Sequence, residues 1–134
     1  MTQHHPKHAI AYARAAATTA GERRVAEQFD ICQHMATRLD AEIVDTFADH
    51  GGSGKRLNRL ALSRLFDYVE DNNIDYVICA DMNQLASTQR LFMEAALHLK
   101  LDGTRVAIAD LDIVFDIQRG RPDRSPSVGG QEQP

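Results

Sequence analysis

Apolar positions along this chain recur first with the period of a strand, then with that of a helix, and the alternation repeats. The run from His8 to Tyr12 has Ala9–Tyr12 as a short buried strand, after which Val25, Phe29, Cys32, Ala36 and Leu39 return every three or four residues and share one helical face. Ile43 to Phe47 reads as a second strand, and Leu62, Leu65, Phe66 and Val69 mark a second helix. Tyr76-Val77-Ile78-Cys79-Ala80 is the apolar, partly β-branched run of a central parallel strand. Ser87 or Thr88 caps a third helix striped by Leu91, Ala95 and Leu99, and Gly103 stands where a left-handed residue ends it. Arg105 to Ala109 is a fourth strand. Ile113, Phe115 and Ile117 lie two apart, as on a short edge strand facing the core.

Alternating strands and helices joined by right-handed crossovers give a mainly parallel sheet of four to five strands with helices on both faces. The predicted fold is a flavodoxin-like three-layer α/β sandwich of order 2-1-3-4. It occupies residues 8–117, between a flexible N-terminus, 1–7, and a tail, 118–134, rich in Gly, Pro, Ser, Gln and Arg and expected to be disordered. No internal repeat is present.

Composition narrows the function classes. The 134 residues suit one domain with a core, and 15 Lys plus Arg against 19 Asp plus Glu excludes coating of nucleic acid by bulk charge. Cys32 and Cys79 fall inside elements, as reduced core thiols do, and not at disulfide or zinc spacings. No run is long enough to span a membrane and no signal-peptide core opens the chain, so a cytoplasmic protein is expected. His4-His5-Pro6-Lys7-His8 has neighbouring imidazoles but no helical spacing or acidic partner to fix them, and reads as a frayed terminus. No metal site and no cofactor is expected.

Ligands of doubly wound sheets bind beyond the carboxyl ends of the strands. Three segments meet at that edge: the loop after strand one with Arg14 and Ala16, the loop after strand two from Asp49 to Arg59, and the turn after strand three from Asp81 to Ser87. Gly51-Gly52-Ser53-Gly54-Lys55 ends like a phosphate-binding P-loop, but that motif needs glycine where Asp49 stands and Ser or Thr where Arg56 stands. Nucleotide binding, a flexible surface loop and a loop that contacts a phosphate backbone are the readings left open for it. Lys55, Arg56, Arg59 and Arg64 form a basic cluster that a solvated helix start explains as well as a phosphate contact does. For Arg14 the alternatives are an ion pair with Asp49 or Asp81 and a phosphate contact; Tyr12 packs, and Asp81 caps the following turn.

The order Tyr12-x-Arg14, Asp49-x-Gly51-x-Ser53-Gly54, Arg59, then Asp81 in a strand-to-helix turn resembles the catalytic domain of the serine recombinases, the resolvase/invertase family. In that family the first motif continues to a serine that attacks a DNA phosphate, and the position is Ala16 here. The family's third segment reads roughly aspartate, leucine, aspartate, arginine, leucine, serine, arginine. Here it is Asp81-Met82-Asn83-Gln84-Leu85-Ala86-Ser87, with both arginines replaced, by Gln84 and Ser87, and the second acid by Asn83. Gln28 fits a family glutamine.

The resemblance therefore implies a catalytically inactive, degenerate and truncated relative: a binding or regulatory module, or a mobile-element remnant. Tyr12, Arg14, Ser53, Lys55 and Arg59 are its remnant phosphate-binding or DNA-binding set. Thr18, Thr19 and Ser53 are the oxygens near the site, none with an evident base. Neither the family's long dimer-forming helix nor its DNA-binding domain is visible in the sequence. The partners implied are DNA or an intact recombinase, and the oligomeric state a monomer or weak dimer. An altered nucleophile on an active recombinase, and an unrelated flavodoxin-like phosphate or small-molecule binder, are the alternative readings.

Overall fold

The chain forms β1 (Lys7–Ala15), α1 (Thr19–Arg38), β2 (Ala41–His50), α2 (Leu60–Asp71), β3 (Tyr76–Cys79), α3 (Met82–Leu85), α4 (Gln89–Lys100), β4 (Arg105–Ile108), β5 (Ile113–Phe115), β6 (Ile117–Gln118) and β7 (Arg121–Pro122). The structure is a computed structural model and describes residues 5–51, 59–115, 117–118 and 121–122. The sheet order is β2-β1-β3-β4-β5, with the first four strands parallel and β5 antiparallel to β4. This is the expected 2-1-3-4 order with an added antiparallel edge.

Side-chain alternation along β1 sorts the molecule into layers. Ala9 and Ala11 face Cys32, Met35 and Ala36 of α1 in one core cluster, while Ile10 and Tyr12 face Leu62, Leu65, Phe92 and Leu99 of α2 and α4 in the other. Small residues admit α1 close to one face of the strand; large ones fill the wider space on the opposite face.

Several boundaries differ from the pattern reading. β1 runs through Ala15 because pairing with β2 continues to Arg14↔Asp49 and Ala15↔His50, so Arg14 and Asp49 are strand residues and not loop residues. The turn after β3 contains a short helix, α3, and Thr88, not Ser87, caps α4 by accepting from the Leu91 N–H at 3.2 Å. Gly103 has a φ of 82°, as expected of a left-handed helix terminator. On β5, Phe115 packs edge-on against Phe92 at 5.0 Å, but Ile113 is exposed, which corrects its placement toward the core. Ile117 belongs to the separate β6–β7 pair, whose other residues, Gln118, Arg121 and Pro122, fall at the start of the segment expected to be a tail.

β2 is a free edge. Its register with β1 slips between Ala9↔Ile43 and Ile10↔Asp45, leaving Val44 as an extra residue, and Glu42, Val44, Asp45 and Thr46 are all exposed.

Candidate functional site

The parallel strands end at one edge, where β1, β2 and the β3–α4 connection meet. Tyr12 is fully buried, and its hydroxyl donates to Asp49 Oδ2 at 2.6 Å. The Asp49 carboxylate also accepts the Ala61 N–H at 2.8 Å and the Leu62 N–H at 3.1 Å. It thereby caps α2 from the neighbouring strand, where the helix's own N-cap residue, Arg59, supplies no side-chain bond. A carboxylate on the first N–H groups of a helix is favoured by both hydrogen bonding and the macrodipole. Burial, and then the bond to Asp49, push the Tyr12 hydroxyl far above its ordinary ionisation range.

Arg59 is buried, so of the two alternatives for the basic cluster the solvated helix start does not hold for this residue. Its guanidinium lies 5.6 Å from the centre of the Tyr12 ring. It donates to the carbonyls of Leu85 and Gln84, while Nε has no hydrogen-bond partner among the described residues. Burial, followed by the repulsion of Arg14, lowers its pKa, with Tyr12 and Asp49 opposing the shift. Arginine still keeps its charge at neutral pH.

Arg14 reaches the same turn. Nη2 donates to the Asn83 carbonyl at 2.8 Å and Nε to the Gln84 carbonyl at 3.4 Å. Neither guanidinium forms an ion pair with Asp49 or Asp81 among the described residues, so the ion-pair alternative for Arg14 is not what the structure contains. Two arginines instead hold three consecutive carbonyls at the end of α3, a helix too short to satisfy them internally. The Gln28 side chain brackets Arg14, accepting from its N–H at 3.2 Å and donating to its carbonyl at 3.1 Å.

Ala16 is exposed at the head of the β1–α1 turn. Its carbonyl accepts the Thr18 N–H at 2.9 Å, and Thr18 Oγ1 caps α1 by accepting from Gly21 at 2.9 Å. A Cβ at Gly21 would lie 1.7 Å from the Ala16 oxygen, so this close approach requires glycine. Thr18, Thr19, Glu22 and His50 line a cavity of about 390 Å³ beside the turn. The sequence points to the two threonines but not to Glu22 and His50, whose juxtaposition depends on the end of β2 lying beside α1.

Asp81 begins α3 without capping it through its side chain, which accepts instead from Gln84 Nε2 at 3.2 Å. Asp81, Asn83, Ser87, Thr88, Gln89 and Asp110 are among the residues lining an open cavity of about 610 Å³, with two carboxylates and no basic group. Tyr12, Arg14, Arg59, Asp81, Asn83, Gln84 and Ser87 thus share one edge with Ala16. Ser53 and Lys55, with Arg56, lie outside the described residues. On the opposite side of the sheet Cys32 donates to the Ile78 carbonyl at 3.4 Å; burial pushes its thiol up to about 12 and raises that of Cys79 as well.

The family model of the resolvase N-terminal domain matches residues 9–123. The structure resembles the N-terminal catalytic domain of TP901-1 integrase, with a TM-score of 0.70 and 22% identity over 81% of each chain. It also resembles the C-terminal catalytic domain of ISC1926 TnpA, an IS607-like serine recombinase, with a TM-score of 0.66 and 22% identity over 76% of this chain and 67% of that one. A resolvase family site-specific recombinase from Streptococcus pneumoniae gives a TM-score of 0.67 at 17% identity, over 81% and 75%. No curated protein matches in sequence. Among the described residues no helix is long and apolar enough to cross a membrane. The family match runs from Ala9 inside β1 through both arginines, the α3 turn and the other four strands of the main sheet, and the chain belongs to the resolvase N-terminal domain family of the serine recombinases.

Proposed function

We propose that this domain is a non-catalytic member of its family, a binding or regulatory module that acts on DNA or on an intact recombinase in the cytoplasm, as a monomer or weak dimer. The observation that carries the proposal is the state of the two arginines around an alanine. The position aligned with the attacking serine presents the methyl of Ala16, and the guanidiniums of Arg14 and Arg59 are bonded to the carbonyls of Asn83, Gln84 and Leu85.

The chemistry implied by the family needs an oxygen nucleophile and cations around a phosphate whose charge grows in the transition state. Losing one preorganised donor costs roughly a hundred- to a thousandfold, and losses within one site do not simply add. Gln84 and Ser87 stand where the family has two arginines. Loss of the nucleophile's hydroxyl is more severe still, because it removes the covalent intermediate itself.

The test is incubation with supercoiled DNA, followed by denaturation and a search for protein linked covalently to a broken strand. None is expected from the wild type, and Ala16→Ser alone restores none because Gln84 and Ser87 leave the phosphate uncompensated. A covalent species from the wild type overturns the reading. It would favour the second reading, an altered nucleophile, for which Thr19 beside His50 and Glu22 is the structural support; Thr19→Val would then abolish the product.

A further inference from the structure

Away from that edge, the C-terminal ends of α2 and α4 bring Glu70, His98 and Asp102 together, one donor atom from each lying within 4.8 Å of the others. Glu70 is in the last turn of α2 and His98 in the last turn of α4, while Asp102 follows His98 by four residues and so emerges on the same side. The His98 ring is packed against Phe66 with 4.5 Å between centroids, which fixes where the imidazole sits. Among the described residues, neither carboxylate has an ion pair, and none links His98 to either acid. Two like charges are thus held close together beside an unpaired imidazole, an arrangement that a cation between them relieves.

We propose that Glu70, His98 and Asp102 form a surface site for Zn²⁺, with water completing the tetrahedron. The ligand types decide the ion: imidazole with carboxylates suits zinc, whereas Mg²⁺ takes an all-oxygen octahedral shell and keeps its water. Two atoms each about 2.1 Å from one tetrahedral zinc lie about 3.4 Å apart, so donor atoms now within 4.8 Å of one another close on the ion if each exposed side chain moves by about an ångström. Bound metal ties the ends of two helices that cover the same face of the sheet, and it stabilises the fold by mass action. This site is independent of any event at the arginine edge.

The test is calorimetric titration of the full chain with zinc chloride, in a background carrying His4→Gln, His5→Gln and His8→Gln to remove the N-terminal imidazoles. One zinc per chain is expected, with a melting temperature that rises with zinc and does not respond to magnesium at the same concentration. Glu70→Gln and Asp102→Asn, which preserve side-chain size, each weaken binding at least by the roughly tenfold typical of disturbing a metal's surroundings. His98→Gln abolishes it. Because His98→Gln also loses the Phe66 contact, the two acid variants decide the matter free of packing effects. Absence of saturable zinc binding, or binding unchanged by both acid variants, overturns the proposal.

Discussion

The Tyr12 hydroxyl donates to the Asp49 carboxylate at 2.6 Å, and this bond joins the central strand to the start of α2 through a single side chain. Removal of its two ends has unequal effects. Tyr12→Phe leaves Asp49 with both helix N–H groups and costs about 1–2 kcal/mol, the net worth of one buried charge-assisted bond. Asp49→Ala strands the Tyr12 hydroxyl together with the Ala61 and Leu62 N–H groups and costs more, about 3–5 kcal/mol. Urea denaturation of the two variants measures the difference; equal losses would mean that the carboxylate does not unite them.

Stability depends on alkali in a defined direction. Tyr12, Cys32 and Cys79 all have pKa values raised in the folded protein by burial, from ordinary values of 10.0 for the tyrosine and 9.0 for the thiols. The unfolded chain therefore loses these protons first, and the stability they confer is complete below about pH 9 and declines as pH rises. Each group contributes a limiting slope of about 1.4 kcal/mol per pH unit. Cys32→Ala flattens the fall between pH 9 and about 12, where the folded thiol itself ionises, and Tyr12→Phe flattens it above pH 10. Denaturation midpoints measured across that range, normalised to pH 7, check both; an unchanged profile in Cys32→Ala contradicts the assignment.

Gly21→Ala is destabilising although it places a better helix former inside α1. Propensity favours alanine by up to about 1 kcal/mol, but its Cβ would sit 1.7 Å from the Ala16 carbonyl oxygen, a backbone atom that cannot swing aside. A net loss of about 2 kcal/mol or more is expected from displacing the turn. Thermal melting reads the sign directly, and a rise in melting temperature shows that the turn relaxes freely.

The strand and helix pattern was legible because buried parallel strands and amphipathic helices carry their periods in the apolar residues, as Tyr76–Cys79 and Val25 to Leu39 show. The site was legible as a meeting of segments but not as a set of contacts. The resemblance singles out Arg59, but composition and periodicity do not separate its burial from that of Arg64, since basic side chains belong by default in water. Arg59 is buried because the carbonyls of Gln84 and Leu85, twenty-five and twenty-six residues away, need donors. The extension of β1 to Ala15 likewise depends on pairing with β2, which no local signal announces. The joining of Thr18 and Thr19 with Glu22 and His50 is tertiary in the same way.

The two arginines have separable roles. Arg59→Lys keeps the charge but lacks the planar fork, so it leaves a buried carbonyl unmet and costs about 2–3 kcal/mol. Arg14 is half-buried, and Arg14→Gln costs about 1 kcal/mol or less. If the edge still holds phosphate, Arg14→Gln lowers DNA affinity and reduces the salt slope by roughly one unit while the fold stays intact. Fluorescence anisotropy at several salt concentrations measures this; affinity and slope unchanged from wild type remove Arg14 from any DNA contact.

The bulged outer strand has a consequence for solubility. Among the described residues β2 offers one uncovered row of backbone donors and acceptors, the kind of border onto which a foreign strand can zip, and the acids Glu42 and Asp45 stand on either side of the exposed Val44. A second chain laid against that border would bring its own carboxylates alongside, so the pair acts as a fence against runaway stacking. Exchanging both acids for valine would take the fence down and leave a sticky margin without touching the interior.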